Sequence, residues 1–91
     1  MNEPSLDPAK RVRATVLVRP KQGILDPQGQ AVEGSLEKLG FPVAGVRVGR
    51  VSDLEVAATD VDDARRQVEL MCASLLANSL IESFEILFEE E

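Results

Sequence analysis

Histidine, tryptophan and tyrosine are absent from this 91-residue chain, and each absence closes a class of function. Without an imidazole, a serine or cysteine nucleophile lacks its usual proton acceptor. The common zinc sites, built from imidazole or several thiolates, cannot be assembled either. Aromatic side chains amount to 3%, all of them phenylalanine, which removes the stacking platform of single-strand nucleic-acid binders. A formal net charge of −6 also opposes contact with a phosphate backbone, so no nucleic-acid partner is expected. The single cysteine, Cys72, cannot close an internal disulfide, and a reducing compartment is the expectation. No apolar run reaches the roughly 20 residues of a membrane span, and the first residues carry no signal-peptide pattern. A cytoplasmic protein without membrane contact is expected.

What is present divides into short periodic segments. Residues 1–10, with Pro4, Ser5, Asp7 and Pro8, read as a disordered lead-in, and 11–91 as a single domain. From Arg11 to Arg19 the pattern alternates. Val12, Ala14, Val16 and Val18 share one face, while Arg11, Arg13, Thr15, Leu17 and Arg19 share the other, which predicts a half-buried strand. Asp26 then offers an N-cap carboxylate, and Pro27 suits the first helical position. A first helix is predicted from Pro27 to Leu39, with Ala31, Val32, Ser35, Leu36 and Leu39 as its stripe. Gly40 supplies its left-handed terminus.

The β-branched stretch that follows divides into two predicted strands, about Val43 to Val51 and Leu54 to Ala58, turning at Ser52-Asp53. A second helix starts near Asp60, with Val61, Ala64, Val68, Met71, Cys72, Leu75 and Leu76 at helical spacing and Asn78 beyond its end. A last strand covers Ser83 to Glu89. The order β-α-β-β-α-β predicts an α+β, ferredoxin-like sandwich: a four-stranded antiparallel sheet with two helices on one face. First and last strands would be neighbours, pairing Arg11, Arg13 and Arg19 with Glu85 and Glu89. The uncovered face would carry Leu17, Val51 and Leu87 among charges, a patch expected to mediate self-association.

Candidate chemistry is sparse. Sixteen carboxylates make an acid/base pair arithmetically possible, yet most fall on solvated faces or in the Glu89-Glu90-Glu91 run. Cys72 sits in an apolar stripe, as a buried small hydrophobe would. The glycines form no phosphate loop. Two groupings stand out instead. Lys21 precedes Gly23, and Gly29 occupies a first helical turn, where propensity disfavours it by about 1 kcal/mol. Arg47 and Arg50 bracket Gly49 in an extended stretch. A glycine kept in an unfavourable place points to a close approach by another backbone, partner or ligand.

These residues resemble a known family. Lys21-Gln22-Gly23-Ile24-Leu25-Asp26-Pro27-Gln28-Gly29, Ala31-Val32 and Leu39-Gly40-Phe41 are similar to the first half of PurS proteins. So are Val46-Arg47-Val48-Gly49-Arg50, Met71-Cys72, Leu75-Leu76-Ala77-Asn78 and Ile81-Glu82. Ser79 stands where that family usually has proline, and Arg50 where it usually has lysine. The resemblance implies a small, non-catalytic subunit of phosphoribosylformylglycinamidine synthase in purine biosynthesis. It further implies a bridge between the glutaminase and synthetase subunits that assists ammonia transfer. ATP, magnesium and glutamine would be used by those subunits, with no cofactor or metal bound by this chain. It also implies a homodimer or dimer of dimers. Lys21, Gln28 and Gly29 are then expected at one partner surface, and Arg47, Gly49 and Arg50 at another.

Other readings of the same expected fold are a regulatory module sensing a small effector between protomers, an acylphosphatase-like hydrolase and an RNA-binding module. The hydrolase lacks a convincing phosphate loop, and charge disfavours RNA.

Overall fold

The computed structural model describes residues 10–89. Three strands and two helices follow one another as β1 (Arg11–Pro20), α1 (Pro27–Lys38), β2 (Arg50–Ala57), α2 (Val61–Met71) and β3 (Glu82–Glu89). The predicted lead-in falls almost wholly outside the described residues, as do Glu90 and Glu91.

β1 is the centre of the sheet, with β2 and β3 antiparallel on either side. Its alternation sorts its side chains between the two faces. Val12, Ala14, Val16 and Val18 are all buried, and register sets Val56 and Leu54 opposite the first two. On the other side Phe88 and Ile86 stand opposite Ala14 and Val16. α2 lays Ala64, Val68 and Cys72 on this face, each fully buried, and completes the core. Asp60 caps α2 by accepting from the Asp63 N–H at 2.8 Å.

Among the described residues the sheet has three strands, not the expected four. No turn occurs at Ser52-Asp53. The chain runs straight through both residues as β2, with Ser52 opposite Val16 and Asp53 opposite Thr15. Thr15 Oγ1 donates to Asp53 Oδ1 at 2.8 Å, so a neighbouring hydroxyl satisfies the turn-prone carboxylate inside a strand. A tight hairpin also wants positive φ, which among the described residues only Gly23 and Gly40 adopt. Residues 43–49 therefore stay outside the sheet.

Nor do two helices cover one face. Only α2 packs on the sheet, and Gly29 is the only buried residue of α1. Most of the predicted stripe of α1 faces solvent: Leu39 is 72% exposed, Ala31, Val32 and Ser35 are exposed too, and Leu36 is half-buried. The described chain is accordingly long, 51 × 28 × 26 Å with a radius of gyration of 17.2 Å, against about 12–13 Å for a compact domain of this size. Helical periodicity says that a face is apolar, not which chain buries it.

α2 continues past Met71 through one wider, π-type turn, Cys72–Leu76. The extra residue in that turn shifts the helical phase. Leu75, expected in the buried stripe, is 84% exposed as a result. Asn78 opens the next turn rather than capping the helix: its side chain accepts from the Leu80 N–H and its carbonyl from those of Ile81 and Glu82.

The open sheet face carries the expected cross-strand charges. Arg13 and Glu89 approach to 3.9 Å and Arg19 and Glu85 to 3.7 Å, while Arg11 turns to Glu55 on β2 at 2.8 Å. These pairs are solvent-exposed and contribute little each.

Candidate functional site

The motif residues gather at one end of the sheet, where β1 ends, β2 begins and α2 returns to β3. Asp26 organises this end. Its Oδ1 accepts from the Gly29 N–H at 3.0 Å, which caps α1. Its Oδ2 accepts from the Val48 N–H at 2.9 Å, which ties the helix start to the segment entering β2. These two donors, the Val48 N–H foremost, hold the Asp26 carboxyl below the usual range, and Arg47 adds to the effect.

The two unfavourable glycines are explained here. A Cβ on Gly29 would lie 2.4 Å from the Val46 carbonyl oxygen, and one on Gly49 only 2.0 Å from that of Val18. In both cases the approaching group is the chain's own backbone. Gly29 thus lets α1 close onto residues 46–48, and Gly49 lets the chain enter the sheet beside β1.

Five side chains complete the end. Lys21 Nζ donates to the Ser79 carbonyl at 2.7 Å, and the Lys21 N–H to that of Ile81 at 2.9 Å. Arg47 donates to the carbonyl of Pro20. Arg50 grips Glu82 with two nitrogens at 2.8 and 2.9 Å and donates to the Leu76 carbonyl at 3.0 Å. Glu82 also accepts from the Asn78 N–H at 2.8 Å, and with Arg50 this holds its carboxyl at about 2. Gln28 is exposed at the mouth of a depression that it shares with Leu25, Gly49, Arg50 and Ile81. A second depression, lined by Lys21, Gly23 and Arg47, shares Pro20, Ile24 and Asp26 with the first. The two groupings expected at separate surfaces therefore form one continuous surface.

Asp26 and Glu82 are held ionised, so neither can serve as a proton donor near neutral pH. Burial, together with Glu69, pushes the Cys72 thiol up, away from the reactive thiolate. Among the described residues no group of three His, Cys, Asp or Glu side chains is placed to hold a metal ion. No described helix is long and apolar enough to cross a membrane.

Leu17, Val51 and Leu87 share the open sheet face. Leu17 is directly opposite Val51, and Leu87 is opposite Thr15. Leu17 is half-buried, and the other two are exposed. Sequence reasoning missed more exposed apolar groups: Leu25, Leu70 and Leu80 all project into solvent. Leu25 and Leu80 lie in loops, where no periodicity marks a face. For Leu70 the signal existed, since it falls outside the α2 stripe.

Comparison with known proteins covers nearly the whole chain. The family profile described as PurS, phosphoribosylformylglycinamidine (FGAM) synthase, matches residues 13–90. A phosphoribosylformylglycinamidine synthase subunit PurS from Mycobacterium leprae is 42% identical over 80 residues, 87% of this chain and 98% of that protein. Its counterpart from Synechocystis is 39% identical over 82 residues, 89% of this chain and 80% of that protein. Among solved structures, PurS from Thermus thermophilus superposes with a TM-score of 0.79 at 44% identity, covering 89% of this chain and 98% of that one. A chain of the PurLQS structure from Thermotoga maritima superposes with a TM-score of 0.80 at 30% identity, covering 87% and 98%.

Proposed function

The chain belongs to the PurS family of phosphoribosylformylglycinamidine synthase subunits of purine biosynthesis, and from that membership we propose that it is a non-catalytic assembly subunit. It bridges the glutaminase and synthetase subunits and assists the passage of ammonia between them. The reaction replaces an amide oxygen of formylglycinamide ribonucleotide by nitrogen from glutamine. ATP, magnesium and glutamine act on the partner subunits, and this chain binds none of them. The setting is the cytoplasm.

One observation supports this reading: the end of the sheet that bears the family's motifs holds ionised carboxylates, hydrogen-bonded cations and exposed apolar side chains, and neither histidine nor cysteine. Such a surface recognises protein better than it transforms a metabolite. Lys21, Gln28, Arg47 and Arg50 are its contact residues, with Gly29 and Gly49 shaping the backbone beneath. A second apolar surface serves self-association into a dimer or dimer of dimers. Its candidates are the open-face residues Leu17, Val51 and Leu87 and, separately, the α1 stripe ending at Leu39 with Phe41 just beyond it.

The effector-sensing alternative rested on the ferredoxin-like arrangement and loses its footing with the fourth strand and second covering helix. The assembly role is tested by mixing the purified chain with the synthetase and glutaminase subunits in the presence of ATP, magnesium and glutamine. A three-component species on size exclusion with light scattering is expected. Separate elution of this chain under those conditions would contradict it.

A further inference from the structure

The last turn of α2 offers two neighbouring leucines to one place in the core. Val68 is fully buried, and an α-helix continued from it brings Leu75, seven residues on, to the same line about two turns later. The wider turn Cys72–Leu76 takes up one residue more, closed by the Ala77 N–H donating to the Cys72 carbonyl at 3.1 Å. Eight residues then complete the two turns, and Leu76 stands where Leu75 would. Exposure follows this count: Leu76 packs against the core, while Leu75 is 84% exposed. The two side chains are identical, so volume does not choose between them. A polar contact at the helix end does. Arg50 Nη2 donates to the Leu76 carbonyl at 3.0 Å, and Glu82 holds the guanidinium in place with both oxygens, at 2.8 and 2.9 Å. Glu82 also accepts from the Asn78 N–H at 2.8 Å, so the backbone on both sides of Ala77 is tied to this one pair.

We infer that the end of α2 is a switch with two registers. With Arg50 on the Leu76 carbonyl the wide turn persists and seats Leu76. With Arg50 drawn off, the turn tightens to the α form, Leu75 enters the core and Leu76 turns outward. Elements with two discrete packings of similar volume move in steps rather than by gradual deformation. The step alters the surface as well. Leu54, Leu70, Met71 and Leu75 line an apolar depression beside the turn, and the α register withdraws Leu75 from its wall. A carboxylate that competes with Glu82 for the Arg50 guanidinium is the chemistry that throws the switch. This device is independent of the assembly role proposed above.

Two measurements on the full-length chain test it. Methyl NOEs are recorded for Leu75 and Leu76 in wild type and in Arg50→Met. Contacts to the buried core residues should belong to Leu76 in wild type and pass to Leu75 in the variant. A double-variant cycle, read by urea unfolding, leaves Arg50 in place. Leu75→Ala should be near neutral, because that side chain is exposed. Leu76→Ala should cost less than the usual loss of a core leucine, because Leu75 takes its place. The double variant should then lose more than the two single losses combined, by about tenfold or more in the folding equilibrium constant. Strictly additive losses, with Leu76→Ala carrying the whole effect, would overturn the inference. So would a folded Arg50→Met chain that keeps Leu76 against the core. If Arg50→Met does not fold, the cycle decides alone by the same criterion.

Discussion

Arg50 on β2 holds Glu82 on β3 through two hydrogen bonds of 2.8 and 2.9 Å, reaching across the central strand β1. Register places Arg50 opposite Val18 and Glu82 opposite Pro20, so the pair closes the core face just where α2 ends at Leu76. Arg50 is 56% exposed and Glu82 only 15%. The fork geometry of a guanidinium suits this site, since a lysine has one nitrogen and could not make two parallel bonds to both oxygens.

Acid should release this clasp. Glu82 titrates at about 2, below its ordinary 4.5, chiefly because of Arg50. A depressed carboxylate stabilises the folded state above its unfolded value and loses that contribution as pH falls through its folded value. Stability should therefore decline between about pH 5 and pH 2. Glu82→Gln should be less stable than wild type at pH 7, and the gap should close by about pH 2. Urea unfolding midpoints across that range check this. Asp26 and Asp63, also lowered, leave a residual slope in the variant.

Two glycines of one helix should respond oppositely to alanine. At Gly29 the new Cβ would meet the Val46 carbonyl at 2.4 Å, a backbone atom that cannot swing away. Overpacking of this kind costs about 1–3 kcal/mol and exceeds the gain in helix propensity. At Gly34 a Cβ meets nothing within 4 Å, so Gly34→Ala should stabilise by roughly 0.5–1 kcal/mol. Gly49→Ala should resemble Gly29→Ala, since the Val18 carbonyl lies closer still. Denaturant titration of the three variants gives the signs directly.

The α1 stripe should govern self-association. Leu39→Glu, alone or with Phe41→Ser, should shift the isolated chain toward monomer in light scattering, with the far-ultraviolet circular dichroism of wild type. An unchanged mass would remove α1 from the self-contact surface.

Cys72 should resist modification. It is fully buried, and burial pushes its thiol up. A thiol reagent at pH 8 should label it only after denaturant is added, at the rate of global or sub-global opening.

Much of this was legible in the chain. β1 announces itself by strict alternation, and its burial on one face and charge on the other follow from it. The cap residue Asp26, Pro27 and Gly40 fix α1 to within one residue. The sequence around Gly49 was harder. Val43 to Val48 has strand composition, but composition does not say whether a partner edge is available, and this segment meets α1 through Val46 and Val48 instead. Ser52-Asp53 resembles a turn because its reason for being in a strand, Thr15, lies 38 residues away from Asp53. The odd glycines did point to close approaches, although a glycine cannot tell its own chain from another. The union of Lys21 with Arg47 needed the fold, since both reach carbonyls that topology alone brings near.

The central claim is that this chain acts by joining other subunits, and one assay addresses it most directly. Amidine formation by the synthetase and glutaminase subunits is measured with and without this chain, once with glutamine and once with ammonium chloride as nitrogen source. Omitting the chain should abolish most of the glutamine-dependent rate and leave the ammonium-dependent rate within about twofold, because free ammonia needs no assembled conduit. Glutamine-dependent turnover that is indifferent to this chain, or an ammonium-dependent rate that vanishes without it, would contradict the account.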